Sequence, residues 1–334
     1  MPRPLVTIVT PTYNQERFVA ACIESALAQR YEAWEQIVVD DGSDDRTAEI
    51  VVSYGDPRIR LLRLPHRGLG ALAESYNAAL ATSRGELVGI LEGDDRWPAD
   101  KLERQVPLFE DPRTLLTWGR ATTIDERGER LGERRAVNGR GRRTAFDTAE
   151  AFRRLTRSNF LTPSVTVMVR RAALDRIGGF VQTGSALYVD LPTWLRITAE
   201  IPGQVEFLDE ILGEYRVHPS QTTRAAGGEM ARQHLEAVLR TLDRLEPAQL
   251  ERMGGGDAVR RRAVARGALA KGEALLAAKA YRDARAAFRE ALRRCADLPD
   301  RLLAIGGIGS ALLHTDLVKR AFSVRERLQR LRRS

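Results

Sequence analysis

The chain has 334 residues, of which 43% are hydrophobic and 29% charged, and no apolar run reaches the roughly 18 residues that a membrane-spanning helix needs. This composition excludes a disordered or fibrous chain and predicts one large globular domain or two medium ones. The formal net charge is +8, and Arg supplies almost all of the positive charge. This charge suits a phosphate-bearing substrate or an anionic lipid surface. Because the basic residues are not interleaved with aromatic ones, the sequence predicts no nucleic-acid partner.

The start of the chain leads directly into a strand-like segment and carries no apolar signal-peptide core. Its two cysteines, Cys22 and Cys295, lie far apart and lack the spacing of a metal site, which is typical of unpaired thiols in a reducing compartment. We therefore expect a cytoplasmic protein. Peripheral contact with the inner face of the cell membrane stays open.

The first third of the chain alternates between two patterns. Short runs of Val, Ile and Leu predict buried strands, and apolar residues at helical spacing predict helices between them. The predicted strands cover residues 5–10, 36–39, 59–64 and 87–91, and helices are predicted to begin near Phe18, Thr47 and Ala71. This alternation predicts an α/β fold, namely a doubly wound, mainly parallel sheet with helices on both faces.

Polar clusters follow three of these four strands. They are Pro11-Thr12-Tyr13, Asp40-Asp41 and Glu92-Gly93-Asp94-Asp95. Ligands of such sheets bind outside the carboxyl ends of the strands, so we expect the three clusters to meet at one edge. Neighbouring carboxylates repel one another, and a divalent cation shared with a substrate phosphate relieves that repulsion. We therefore favour a ligand site over the alternative, a solvated acidic turn.

The remaining signals of this first region run to about residue 220. They predict an amphipathic helix over 101–109, strands over 115–118 and 164–169, a helix over 171–177 that Gly178 terminates, a helix over 188–199 and a late edge strand over 204–208. Residues 125–143 are rich in Arg, Gly and Glu and have little periodicity, which predicts a mobile loop.

From about Ala225 the composition shifts to Ala, Leu, Arg and Glu, so we divide the chain into a first domain, 1–222, and a helical C-terminal segment, 223–334. One tetratricopeptide-like helix pair is matched by Gly272, Tyr281, Ala284, Phe288 and Ala291. A single repeat cannot make a solenoid, so we expect a local helical hairpin. A basic terminal helix is predicted over 317–333, either lying on an anionic membrane surface or solvated with an ordinary packing face.

The order of these motifs resembles family 2 glycosyltransferases. The resemblance rests on residues 6–29, on 37–51 with the sequence IVVDDGSDDRTAEIV, and on 92–102 with the sequence EGDDRWPADKL, and it extends over residues 4 to about 220. It implies a GT-A fold, which binds nucleotide sugars. It further implies transfer of a sugar from a nucleotide diphosphate donor to a glycan, lipid-linked or protein acceptor. A UDP-sugar is the first donor to try. Such transfer usually proceeds with inversion and with Mn²⁺ or Mg²⁺ as cofactor.

Residue by residue, the resemblance gives each cluster a role in donor binding. It places Pro11, Thr12 and Tyr13 around the base and ribose, and Asp41 as acceptor of a hydrogen bond from the base. Asp94 and Asp95 reach the ribose and the metal. Glu92 stands where the family more often has Asp, so we rank Glu92 below Asp95 as a metal ligand. A metal clamp would stabilise the negative charge that develops on the leaving diphosphate.

Inverting transfer also needs a general base for the acceptor hydroxyl. In the family a Glu-Asp pair ahead of a Trp-x-Arg segment supplies it, and the resemblance puts Asp190 at the position of that Asp. Val189 replaces the Glu, and Pro192 suits only the first turn of a helix. The alternative role for Asp190 is that of a helix N-cap.

Tyr215-Arg216-Val217-His218 resembles a late motif of the same family. Its cationic groups, Arg216 and His218, would approach the diphosphate or close a loop over it, and a guanidinium suits phosphate oxygens because of its planar donor fork. The alternative is structural: Arg216 pairs with a surface acid, and His218 caps a strand.

Two other functions compete with glycosyl transfer. Gly68 and Gly70 fit a G-x-G-x-x-A motif after a strand, which would indicate an NAD(P)-dependent oxidoreductase. Alternatively, Val189 and Glu92 mark a catalytically impaired scaffold that acts through its helical tail. An Asp190→Asn variant separates the enzyme from the scaffold, which has no turnover to lose.

Overall fold

The computed structural model describes residues 3–134, 143–184, 187–219, 221, 229–295 and 298–313. By its internal contacts the chain divides into two compact units, Met1–Ala225 and Ala226–Ser334. The first unit contains the sheet and the polar clusters, and the second is helical. Each unit is described by itself.

The first unit is built on one sheet of nine described strands, whose order is β3-β2-β1-β4-β8-β5-β9-β7 with β6 paired to β5. The strands are β1 (Val6–Thr12), β2 (Trp34–Asp40), β3 (Ile59–Arg63), β4 (Leu87–Ile90), β5 (Thr114–Ile124), β6 (Arg130–Arg134), β7 (Arg143–Asp147), β8 (Met168–Arg170) and β9 (Gln204–Arg216). The four N-terminal strands match the four apolar runs of the sequence.

The N-terminal half of the sheet is parallel. β1 pairs in parallel with β2 and with β4, and β2 pairs in parallel with β3. Every residue of β1 and β2 is buried, as expected for central strands covered on both faces. The carboxyl ends of these strands therefore lie at one edge. The other half is mixed, since β8 runs antiparallel to β4 and β5 whereas β9 runs parallel to β5.

In the described part of the first unit, seven α-helices accompany the strands. They are α1 (Val19–Leu27), α2 (Thr47–Ser53), α3 (Leu72–Thr82), α4 (Lys101–Gln105), α5 (Thr148–Leu155), α6 (Arg171–Ile177) and α7 (Asp190–Glu200). The helix predicted over 101–109 ends early: α4 gives way to a 3₁₀ turn over Val106–Glu110, where Pro107 has no N–H to continue an α-helical ladder. Gly178 ends α6 in a left-handed conformation, as predicted.

Three predictions for the second half of the sheet are wrong. The strand predicted at 204–208 as an edge strand is the start of the long β9, and it lies between β5 and β7. Residues 125–143 are not one loop, because they contain β6 and the first residue of β7; residues 135–142 lie outside the described part. Residues 164–166 form a 3₁₀ turn, and only 168–170 are a strand.

The described part of the second unit contains five helices. They are α8 (Glu229–Leu242), α9 (Pro247–Arg252), α10 (Gly256–Ala277), α11 (Tyr281–Arg294) and α12 (Leu298–Leu312). Gly272 lets α10 and α11 approach closely, since a Cβ there would lie 2.7 Å from Cε1 of Phe288. None of the described helices combines the length and the apolarity that crossing a bilayer requires. The terminal helix predicted over 317–333 lies outside the described residues.

Candidate active site

The predicted polar clusters meet at the carboxyl edge of the parallel strands. The chain after β4 lies against the end of β1, where the Gly93 N–H donates to the Pro11 carbonyl over 3.2 Å. The Asp41 N–H, just after β2, donates to the Thr12 carbonyl over 2.9 Å. Because Pro11 and Thr12 are buried and hold neighbouring strand ends together, their visible role is to set the geometry of the edge.

The end of β9 joins the same edge through Arg216, which is 3% exposed. Its backbone N–H donates to Oδ1 of Asp95 over 2.7 Å, and its Nε donates to the Asp94 carbonyl over 2.7 Å. Its Nη1 reaches the carbonyl of Asp125, at 2.8 Å. Arg216 therefore ties three segments together. Its guanidinium binds main-chain carbonyls here, rather than the surface acid of the structural alternative.

His218 lies beside Asp94. Its Nε2 is 3.0 Å from Oδ2 of Asp94, and its ring packs against Phe18 with ring centroids 5.0 Å apart. Both polar side chains are largely buried. The late motif thus contacts the acidic cluster directly, and His218 is not an isolated strand cap.

The acidic cluster itself is electrostatically strained. Burial raises the pKa of Asp95 well above its usual range, and the charges of Asp94 and Glu92 raise it further. Burial and the charge of Asp94 raise the pKa of Glu92 to about 7, although the Tyr76 hydroxyl donates to its Oε1 over 3.1 Å. Cys22 lies near the cluster as a fully buried thiol, whose pKa is raised by burial and by these acids, so it adds no charge.

The oxygen atoms of the acidic cluster suit a divalent cation whose remaining coordination positions are taken by a bound ligand. The edge offers carboxylate oxygens, and the imidazole of His218 stands next to one of them. Within the described residues no group of three or more His, Cys, Asp or Glu side chains could hold a metal ion by itself, so a cation here would need ligands from the substrate. An open arrangement of this kind is typical of Mg²⁺ or Mn²⁺ bound by one or two carboxylates together with substrate phosphates.

Asp190 is the first residue of α7. Its charge contributes to the raised pKa values of Glu92 and Tyr76. The Asn159 amide donates to its Oδ2 over 2.6 Å. The Asp190 side chain is partly exposed, and partial removal of its carboxyl group from water raises the pKa of Asp190. The helix N-cap is Val189, so Asp190 is not the cap residue itself.

The other end of the edge carries an aromatic stack. The Tyr13 ring, 40% exposed, lies 4.0 Å from the His66 ring at an interplanar angle of 11°. Nδ1 of His66 is 3.0 Å from Oδ2 of Asp41. Burial raises the pKa of the Asp41 carboxyl group. Gly42 permits this approach, because its φ is +71° and a Cβ there would lie 2.7 Å from the His66 backbone N.

Sequence reasoning missed three side chains of this site: His66, Tyr76 and Asn159. His66 and Asn159 lie in irregular segments with no periodic pattern, and each becomes significant only through its contact with a carboxylate. Tyr76 lies on the buried face of α3. At such a position an aromatic residue indicates core packing, and the sequence does not show that its hydroxyl donates a hydrogen bond to Glu92. Only the fold reveals these pairings.

The family is decided by a comparison of the sequence with known families. The family described as "Glycosyl transferase family 2" matches residues 7–178, slightly more than half of the chain. The chain belongs to glycosyl transferase family 2. This membership confirms the resemblance and favours glycosyl transfer over hydride transfer at Gly68 and Gly70.

Named relatives and solved structures support the same assignment. The Bacillus subtilis protein TuaG, named for teichuronic acid biosynthesis, is 28% identical over 218 residues, covering 64% of this chain and 80% of TuaG. The Escherichia coli β-1,3-glucosyltransferase WfgD is 41% identical over 121 residues, which span 36% of this chain and 47% of WfgD.

Two solved structures are similar over 93% of this chain. A Staphylococcus aureus TarS fragment with UDP-GlcNAc has a TM-score of 0.60 at 17% identity, with 92% of that chain covered. The mannosyltransferase PcManGT of Pyrobaculum calidifontis, with GDP-Man and Mn²⁺, has a TM-score of 0.58 at 21% identity, with 81% covered. At these identities the similarity supports the fold alone, and it confirms the predicted GT-A-type fold with added C-terminal helices.

Proposed function

We propose that this glycosyltransferase transfers a sugar, with inversion, from a nucleotide diphosphate donor to a hydroxyl of a glycan or glycoconjugate. The observation that carries the proposal is the Asp190 carboxylate at the start of α7, which is held by the Asn159 amide and whose charge helps to raise the pKa of Glu92. A base that faces the donor-binding edge is the arrangement that inverting transfer requires.

The donor would lie along the carboxyl edge. Tyr13 and Asp41 would bind the base, Pro11 and Thr12 would shape this pocket, and Asp94 would reach the ribose. His218 would approach the diphosphate. Arg216 would act mainly by holding the loops around residues 94 and 125, in keeping with its bonds to their carbonyls. UDP-sugars are the first donors to test, since the names of WfgD and of the TarS complex mention UDP-Glc and UDP-GlcNAc.

A divalent cation, Mn²⁺ or Mg²⁺, would be held by Asp95, with Glu92 as the weaker candidate. When bound, it neutralises charge on the leaving diphosphate. Support comes from the raised pKa values of both carboxyls, because a cation among them would offset the mutual repulsion that raises these values.

Asp190 would act as the general base. Its carboxylate takes the proton of the acceptor hydroxyl, the hydroxyl oxygen bonds to the anomeric carbon, and the bond from that carbon to the diphosphate oxygen breaks. A raised pKa makes the carboxylate a stronger base, and the Asn159 amide fixes its orientation.

The acceptor would be a glycan, a lipid-linked sugar or a protein. The name of WfgD describes a diphosphoundecaprenol-linked acceptor, which favours a lipid-linked sugar for this chain as well. A lipid-linked acceptor also gives a reason for a cytoplasmic enzyme to contact the inner face of the cell membrane. The net charge of +8 suits such contact.

The test combines donor binding with turnover. Calorimetric titration of UDP, GDP and dTDP, each with and without Mn²⁺, should reveal one nucleotide whose binding needs both the metal and Asp95, as shown by Asp95→Ala. With the matching sugar donor, Asp190→Asn should lower kcat by about 10²–10⁴-fold and leave the donor Kd within about twofold. Asp175→Asn, on the exposed part of α6, is the control. Binding without turnover in the wild type would favour the scaffold.

A further inference from the structure

Arg17 is a cation beside the donor-binding edge to which the proposed mechanism gives no role. It lies in the segment between β1 and α1, and its guanidinium carbon is 5.1 Å from the centroid of the Phe18 ring. Two residues of the late motif surround the same ring. The guanidinium carbon of Arg216 is 4.9 Å from its centroid, and the His218 ring lies 5.0 Å away between centroids. Arg17 therefore belongs to the group of cations that includes His218, the residue proposed to approach the diphosphate.

Arg17 differs from Arg216 in that its side chain can move. Arg216 is buried, and its guanidinium is bound to main-chain carbonyls. The Arg17 side chain is 62% exposed, and its Nη2 forms an ion pair with Oε2 of Glu126 over 2.5 Å. Ion pairs on a protein surface are weak, because water and salt compete with them. Arg17 can therefore leave Glu126 for an anion of higher charge.

Glu126 is held in place through its main chain. It lies in the turn between β5 and β6, where its carbonyl and that of Asp125 accept from Nη1 of Arg216, at 3.2 and 2.8 Å. Oδ1 of Asp125 accepts from the backbone N–H groups of Arg127 and Glu129. These bonds fix the turn, so the Glu126 carboxylate stays beside the donor-binding edge with or without its ion pair.

We propose that Arg17 binds the diphosphate of the nucleotide donor, and that Glu126 holds the Arg17 guanidinium beside the site when no donor is bound. This inference rests on the proposed function and adds to it a residue that recognises the diphosphate. A guanidinium presents a planar fork of N–H donors that matches phosphate oxygens. A diphosphate also carries more negative charge than one carboxylate, so it draws Arg17 away from Glu126.

The alternative is a purely structural pair. Arg17 and Glu126 are 109 positions apart in the sequence, and their ion pair could serve only to tie two segments together. In that case, loss of either partner should change donor affinity in the same direction. The proposal instead requires opposite effects, because Glu126 competes with the donor for Arg17.

Calorimetric titration with Mn²⁺ tests the proposal on the full-length chain. UDP, GDP and dTDP are compared first, and the diphosphate that binds the wild type is then compared with its monophosphate. Arg17→Ala should weaken binding of the diphosphate about tenfold and binding of the monophosphate by less than about threefold. Glu126→Gln should tighten binding of the diphosphate about twofold to fivefold, since no ion pair has to be broken. In the double variant, Glu126→Gln should add nothing to the effect of Arg17→Ala.

Arg113→Ala is the matched control. Arg113 also forms an exposed ion pair, with Asp111, and it directly precedes β5. Because β4 and β5 both run antiparallel to β8, the start of β5 lies at the edge of the sheet opposite the donor-binding edge. Arg113→Ala should therefore leave the Kd of the diphosphate unchanged.

Three results would overturn the proposal: a wild-type Kd in Arg17→Ala, weaker binding in Glu126→Gln, or an equal loss of the monophosphate and the diphosphate in Arg17→Ala. An effect of Glu126→Gln that persists in the double variant would also overturn it, because Glu126 would then act on the donor without Arg17. If none of the three nucleotides binds the wild type, the proposed function fails and this inference fails with it. A wild type that binds a nucleotide, beside an Arg17→Ala variant that binds equally well, contradicts this inference alone.

Discussion

At the scale of single residues, Asn159 and Asp190 set the pH at which the proposed reaction can run. Activity needs the ionised carboxylate, so the rate rises as pH increases through the pKa of Asp190. Because burial raises this pKa, the acid limb of kcat/KM should lie above the ordinary Asp range of about 3.9. The hydrogen bond from Asn159 opposes the rise, since it stabilises the charged form.

Asn159→Ala should therefore move the acid limb to higher pH and lower kcat by about tenfold to a hundredfold, because the base is also less well oriented. Asn159→Ser keeps a donor and should restore part of both effects. The measurement is a pH profile of kcat/KM for the three proteins, with donor Kd as the control. A profile that does not move, together with a normal kcat, would remove Asn159 from a positioning role.

His66 links two residues of the proposed base pocket. Its ring stacks on Tyr13 and its Nδ1 contacts the Asp41 carboxylate, so two variants separate the two contacts. His66→Phe keeps a stacking ring and loses the hydrogen bond, whereas His66→Asn keeps a donor and loses the stack. Either loss should weaken nucleotide binding by about fivefold, since each contact contributes about 1 kcal/mol. Calorimetric titration of the nucleotide measures the Kd of both variants. A wild-type Kd in both would mean that the nucleotide base binds elsewhere.

At the scale of elements, Trp97 is the contact that fixes the chain after the acidic cluster. Trp97 packs over Gly89 of β4, where an added Cβ would lie 2.7 Å from Cη2 of the indole, and its Nε1 donates to the Val165 carbonyl over 2.8 Å. The indole is buried and β4 is a central strand, so neither side can yield freely.

Gly89→Ala should therefore reduce the free energy of unfolding by about 1–3 kcal/mol through overpacking. Gly132→Ala on β6 is the matched control, because a Cβ there meets nothing within 4 Å, and it should change stability by less than about 0.5 kcal/mol. Urea unfolding measures both. Equal stability of the two variants would mean that the indole can shift away from β4 at little cost.

The elements that sequence reasoning placed correctly are those with a strong local signal. β1 to β4 are apolar runs buried on both faces, and Gly178 ends α6 through its left-handed conformation. The errors fall where pairing is decided by distant segments. β6 is mostly exposed and carries no apolar alternation, and β9 is internal only because β7, more than fifty residues earlier, pairs with it. The strand ends could be predicted, whereas the carboxylate partners His66, Tyr76 and Asn159 could not.

At the scale of the whole molecule, the basic charge is the feature that bears on where the enzyme works. The net charge of +8 is uneven along the chain, because residues 317–333 contain seven Arg and Lys residues and only one acidic residue, Glu326. If these residues contact an anionic membrane, each should contribute about 1 kcal/mol near the surface, and salt should screen the contribution.

Changing Lys319, Arg327 and Arg330 together to Gln should thus weaken binding to phosphatidylglycerol vesicles by roughly a hundredfold. Arg46, Arg67 and Arg113 are exposed residues of the first unit, and changing them to Gln lowers the net charge equally. This control variant should bind like the wild type if the terminal segment makes the contact. Vesicle co-sedimentation at two salt concentrations measures the difference. Equal loss in both variants would mean that overall charge, rather than this segment, governs attraction to the membrane.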